Sequence, residues 1–271
     1  MSIITLTSDY GSKDYFASAI KGSILSENSN IHIIDISHEI TPFHLQECAY
    51  ILKNSYKNFP KNSVHIIAVD TEKQKNKRHI AAYIDEYYFI TSDSGLLSLI
   101  FPNTKPSELV EINISGEYNT ELFPARDIFV KVACHIIRGG KLNVIGDPIN
   151  NLKSFMNPTP VEINNGKSLV GEVIYIDRFG NIVTNIDKKI FKEKKGDNNF
   201  IIHLPRGKKV QTINQTYSDV KESEVVVLFN SVNLLEVAIN RADKNAISGA
   251  STLLGIEEGN QIIINFMKKN E

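Results

Sequence analysis

The stretch IITLTSDYGSKDYFASAIKGSILSENSNIHIIDIS, residues 3–37, decides the fold class. Its opening IITLTSD is an apolar, β-branched run that reads as a strand ending in a carboxylate, Asp9. From roughly Asp14 to Ser26 the apolar residues Phe16, Ala19, Ile20, Ile24 and Leu25 recur at helical spacing. The run IHIIDIS then predicts a second strand, β-branched enough to be buried on both faces. A strand, a helix and a strand in this order predict a mainly parallel sheet with helices on its faces.

The same alternation continues. Thr41 and Pro42 have the chemistry of an N-cap and first turn for a helix over PFHLQECAYILKNSY. SVHIIAVD is a third strand that again ends in an acid, Asp70. HIAAYID and YYFITS predict a hairpin around Asp85 and Glu86, and SGLLSLIF a short helix from Gly95. ARDIFVKVACHIIRGG predicts an amphipathic helix closed by Gly139 and Gly140. Residues 1–152 are thus expected to form an N-terminal α/β domain, and 153–168, with two prolines and several asparagines, a linker. Residues 169–271 carry short strands: LVGEVIYID, IVTNI, FIIHLP, VVVLFN, LLEVAIN and QIIINFM. They predict a smaller all-β, barrel-like domain.

With 271 residues, 42% hydrophobic, the chain can bury a full core. Its net charge of -1 comes from interspersed signs, with basic excess only at residues 73–78 and 188–195. No broad basic face emerges, which argues against a nucleic-acid partner. Cys48 and Cys134 lie far apart in helical patterns and read as buried thiols of a reducing compartment. The start MSIITLTSDYG lacks a secretory signal pattern, and no apolar run approaches the ~18 residues of a membrane span. A cytoplasmic protein without membrane partners is expected. The histidines at 32, 38, 44, 65, 79, 135 and 203 show no paired ligand spacing, so no metal site is expected. Nor does the chain carry a GxGxxG, Walker or GxSxG motif.

In a parallel sheet the carboxyl ends of the strands form the ligand crevice, and Asp9, Ser37, His38 and Asp70 fall there. Taken alone, Asp9 and Asp14 are accounted for by helix capping. YIDRFGN, residues 175–181, is either a tight turn or a polar loop offering an aromatic and an amide to a base. On spacing alone Phe43 reads as a core or helix-staple aromatic. In LFPARDIF, Asp127 complements a helix dipole with Arg126 beside it.

TSDYG, IDISHEITPF, VD, SDSGLLSLI, FPARDIF, YIDRFGN and NSVNLLEVAIN occur in this order along nearly the whole chain. Together they resemble the S-adenosylmethionine hydroxide adenosyltransferases, kin of the fluorinating and chlorinating enzymes. The resemblance implies an α/β domain joined to a β-barrel-like one, assembled as a homotrimer with each small-molecule site between subunits. It implies that Asp9 accepts hydrogen bonds from both ribose hydroxyls, while Asp14 and a neighbour's Asp177 face the α-ammonium. Phe43 and Phe123 would pack on the ribose and sulfonium, Phe179 stack on adenine, and Asn181 meet its edge. Asn230 and Ser231 would hold the methionine carboxylate, and Asn240 and Arg241 lie where backbone meets the exocyclic amine. The implied reaction is substitution at the ribose C5′ by water, giving adenosine and L-methionine, with no metal or second cofactor.

The sequence departs from the family where water is handled. Hydroxide-transferring members resemble VDPGVGTERR and TFHGRD there and use an Asp–Arg–His set. This chain reads VDTEKQKNKRH and LFPARD. Asp70 is kept, the arginine position falls on Lys77 beside Arg78, and the histidine position is Pro124, which cannot act as a base. Asp70, Lys77 and Arg78 are therefore the catalytic candidates if the 73–79 loop turns inward, with His79 as a further source of charge. The alternatives are a binding module with little turnover and halide transfer. The latter is disfavoured because Ala125 stands where halogenating members carry a small hydroxyl residue.

Overall fold

The computed structural model describes residues 2–72, 77–114, 122–242 and 249–268. Of the 73–79 loop, residues 73–76 lie outside the described residues. The chain divides into two compact units, Met1–Asn157 and Pro158–Glu271.

The first unit is built on β1 (Ile3–Ser8), β2 (His32–Ser37), β3 (Val64–Ala68), β4 (His79–Ile84), β5 (Tyr87–Ser92), β6 (Glu108–Ile112) and β7 (Gly146–Pro148). They form one seven-stranded sheet in the order β2-β1-β3-β5-β4-β6-β7. The pairs β2/β1, β1/β3 and β3/β5 are parallel, whereas β4 returns antiparallel to both β5 and β6. The helices are α1 (Phe16–Glu27), α2 (Leu45–Lys53), α3 (Leu96–Ile100) and α4 (Val130–Ile137). On one face, Ile4, Leu6 and Ile66 pack with Ile20 and Ile24 of α1 and Val132 and Ala133 of α4. On the other, Ile67, Ile80 and Phe89 pack with Cys48 and Leu52 of α2 and Leu96 and Ile100 of α3. Side chains on successive strand residues point to opposite faces, so covering both faces demands the unbroken apolar runs seen in the sequence.

Three local expectations are corrected. β2 is an edge strand of the sheet rather than a buried one, and Ile34 is exposed. α2 starts at Leu45, not Pro42. Residues Thr41 to His44 instead make a tight turn closed by His44 N–H on the Thr41 carbonyl at 2.9 Å, with Phe43 at φ 65. Proline followed by a left-handed residue is the geometry of a type II turn. Finally, the residues before α4 form a wide π-helical turn, Ala125–Phe129. The end of α4 is as expected: Gly139, at φ 83, and Gly140 donate to the carbonyls of Ile136 and His135. The hairpin also forms, with Asp85 and Glu86 both at positive φ.

The second unit contains β8 (Val161–Ile163), β9 (Ser168–Ile176), β10 (Ile182–Asp187), β11 (Asn199–His203), β12 (Lys209–Val210), β13 (Val225–Phe229), β14 (Leu234–Ile239) and β15 (Gln261–Met267). Their order is β12-β11-β15-β9-β10-β14-β13, with β8 on β9. A bridge from Asn214 to Leu228 brings the chain after β12 back to β13, so the antiparallel sheet nearly closes as a barrel. Leu169, Val173, Ile182, Val237, Ile262 and Ile264 fill it. The basic run at 188–195 is a helix, α5 (Lys188–Lys195), capped by the Asp187 carboxylate and anchored by buried Phe191. The short α6 (Ala250–Leu254) follows β14. The segment expected as a linker is structured: Val161–Ile163 pairs with β9, while Lys153 donates its backbone N–H to Asp93.

Candidate active site

In the first unit the candidate residues gather where β1 and β3 end. Asp9 directly follows β1, and its Oδ2 accepts the backbone N–H of Phe43 at 3.0 Å. That bond holds the Thr41–His44 turn against the strand end and leaves the Phe43 ring 72% exposed. A second tie uses the Ser8 hydroxyl, 2.6 Å from His38 Nδ1, and Gly11 N–H donates to the His38 carbonyl at 2.7 Å. His38 Nε2 lies 3.0 Å from Asp35 Oδ1, and Lys21 pairs with the other oxygen. Although burial opposes it, hydrogen bonds from Lys21 and His38 hold the Asp35 carboxyl below its ordinary range. Asp14 lies exposed in the loop that Gly11, at φ 68, opens.

At the end of β3, Asp70 takes a left-handed conformation, φ 51. Its Oδ1 accepts from Lys77 Nζ at 2.6 Å, and Lys77 is only 6% exposed. Arg78 does not join them; its Nε donates to Asp93 Oδ2 and its terminal nitrogen to the Asn151 carbonyl. His79 Nε2 sits 2.9 Å from the Thr71 carbonyl oxygen. Phe123 is buried and packs edge-on to Tyr10 and Phe16. Arg126 makes two hydrogen bonds to the Asp127 carboxylate and lies over the Phe123 ring, a structural pair as the sequence indicates. Pro124 and Ala125 are buried beside it.

In the second unit, Asp177 Oδ1 accepts the backbone N–H groups of Phe179 and Asn181, and its Oδ2 accepts the Asn181 amide at 2.9 Å. This fixes the YIDRFGN turn and leaves the Phe179 ring 77% exposed. Gly180, φ 73, touches Gly249 so closely that a Cβ on either would strike backbone. Asn230 works likewise: its Oδ1 accepts from Val232 and Leu234, and its Nδ2 donates to Glu236. Ser231 is exposed on the same turn. The Asn240 amide donates to the Val220 carbonyl, and Arg241, at φ 47, pairs with Glu222. Sequence reading overlooked Glu236. It is buried, accepts from Tyr217 and Asn230, and has its pKa raised by burial. The only signal was an acid inside the apolar strand LLEVAIN.

Among the described residues, no group of three or more His, Cys, Asp and Glu side chains is placed to hold a metal, and no helix is long and apolar enough to cross a membrane.

Several known proteins are similar to this chain. A curated (R)-S-adenosyl-L-methionine hydrolase of Methanocaldococcus jannaschii is 29% identical, covering 97% of this chain and 96% of that protein. One from Thermus thermophilus is 25% identical over 96% of the chain and 98% of its own length. A fluorinase of Actinoplanes sp. matches at 24% over 69% of this chain and 72% of its own. A crystal structure of an uncharacterized conserved protein from Thermotoga maritima superposes with a TM-score of 0.84 at 28% identity, covering 97% of this chain and 99% of that one. The models of the SAM hydroxide adenosyltransferase N-terminal and C-terminal domains match residues 4–146 and 171–263, and the chain belongs to that family.

Proposed function

We propose that the chain hydrolyses S-adenosyl-L-methionine at the ribose C5′, releasing adenosine and L-methionine. The observation that carries this reading is the ion pair of the partly exposed Asp70 with the buried Lys77, in a chain whose full-length relatives include named hydrolases of that compound. A water oxygen bonds to C5′, the C5′–sulfur bond breaks with its electrons going to sulfur, and the water proton passes to Asp70. The sulfonium is an activated leaving group, so the protein mainly orients and desolvates the nucleophile. Lys77 favours negative charge developing on the water oxygen. Asp9 receives the ribose hydroxyls, Phe43 and Phe123 pack on the sugar and sulfonium, and Asp14 with Asp177 takes the ammonium. Phe179 stacks on adenine, and Asn181, with its amide engaged by Asp177, offers its carbonyl oxygen to the base edge. The turn at Asn230 and Ser231 takes the carboxylate, with the Asn240–Arg241 backbone at the exocyclic amine. This reading includes a homotrimer with the site shared between subunits and no metal or second cofactor.

Arg78 pairs with Asp93 rather than Asp70, so this reading gives the water-side charge to Lys77. A binding module with little turnover is the poorer reading, because Lys77 supplies a buried charge at Asp70 despite Pro124. Incubation with S-adenosyl-L-methionine and chromatography tests the proposal. Adenosine should accumulate above a heat-killed control and be nearly abolished in Asp70→Ala. No adenosine from the unsubstituted protein defeats it.

A further inference from the structure

We propose that the hydroxyls of Tyr10 and Thr71 hold the attacking water beside Asp70, an inference that rests on the hydrolase reading. The register of β1 on β3 pairs Ser8 with Ala68, so the two chains leave the sheet side by side, with Tyr10 and Asp70 each two residues beyond that last pair. From there the Tyr10 phenol reaches Thr71, the residue after Asp70, with its oxygen 3.2 Å from Thr71 Oγ1. Two hydroxyls sharing one hydrogen bond have one hydrogen left over. Among the described residues, no acceptor takes it. That hydrogen is a donor for a water oxygen, and the remaining lone pairs are acceptors for a water proton.

The surroundings fit a held water. Thr71 is 6% exposed, and its carbonyl is fixed by His79. Phe16 and Phe123 wall the phenol at ring-centroid distances of 5.2 and 5.8 Å. Burial raises the Tyr10 pKa, so the phenol stays protonated and acts as a donor, not a base. Lys77 occupies Asp70 Oδ1, and the acid keeps 28% exposure, enough to pass a proton to solvent. Tyr10 and Thr71 are water-positioning residues: the proton leaves the water for Asp70 as the oxygen bonds to C5′.

The test compares Tyr10→Phe, Thr71→Val and Thr71→Ser with the unsubstituted protein, measuring kcat, KM and melting temperature. Tyr10→Phe and Thr71→Val should each lower kcat about tenfold or more with KM within about twofold, the pattern of a contact made to the reacting group. Thr71→Ser, which keeps the hydroxyl, should restore most of kcat. If Tyr10→Phe shifts only the melting temperature, or raises KM while kcat holds, the water site is overturned and the hydrolase reading stands. If the unsubstituted protein releases no adenosine, both fall together.

Discussion

Asp9 is asked to do two things with one carboxylate. One oxygen holds the Phe43 turn in place, and the group is also proposed to receive the ribose diol. Asp9→Ala should therefore weaken S-adenosyl-L-methionine binding by about 30-fold or more, on the order of 2 kcal/mol, as measured by calorimetry. Asp9→Asn keeps an oxygen for Phe43 and should lose less. Unchanged affinity in Asp9→Ala would place the pocket elsewhere. At this scale the strand-end acids were legible, because an acid closing an apolar run marks the crevice of a parallel sheet. The choice of Lys77 over Arg78 as the partner of Asp70 was not, since adjacent cations in a loop have the same sequence signature. Tyr10 and Thr71 escaped notice for a related reason: their contact depends on strand register, which no local pattern encodes.

Among the elements, β3 carries a titrating group away from the crevice. His65 is fully buried, stacks on Phe89, and has Nδ1 2.7 Å from the Thr5 hydroxyl. Burial pushes its pKa from 6.5 down to about 3. The unfolded chain takes up a proton below pH 6.5 that the folded chain refuses until about pH 3. Stability present above 6.5 is therefore lost as pH falls through that window, by at most about 1.4 kcal/mol per pH unit. Urea midpoints should drop between pH 7 and pH 5, and His65→Gln should flatten the difference; an equal drop in both proteins would exonerate His65. Element identity was largely legible from apolar periodicity, including the hairpin at Asp85–Glu86 and six strands of the second unit, though not the short β8 and β12. Boundaries were less so. Thr41-Pro42 suits both a helix start and a type II turn, and the Asp9 bond to Phe43 decides between them. The outer position of β2 was hidden because strand order is set by which neighbour pairs, not by hydrophobicity.

For the whole molecule, the proposed trimer with shared sites makes a sharp prediction. Asp9→Ala and Phe179→Ala lie in different units, so each alone should give a defective protein. Unfolding them together and refolding an equal mixture should restore about a quarter of the sites, since a site with two intact halves needs one half from each parent. Mixtures no more active than the parents would mean that each chain keeps its site to itself. The division into an α/β unit and a β unit could be read from the sequence, because helical periodicity largely gives way to short strands. Near-closure of the second sheet through Asn214 and Leu228 could not, as it joins residues with no shared motif. The edge of the first sheet formed by β2 has one more consequence. Such a border can recruit like borders from other chains, and Ile34 would make the seam sticky. Lys21 and Asp35, paired across α1 and that strand, serve as an electrostatic fender. Stripping both charges should leave the fold standing while concentrated solutions turn cloudy.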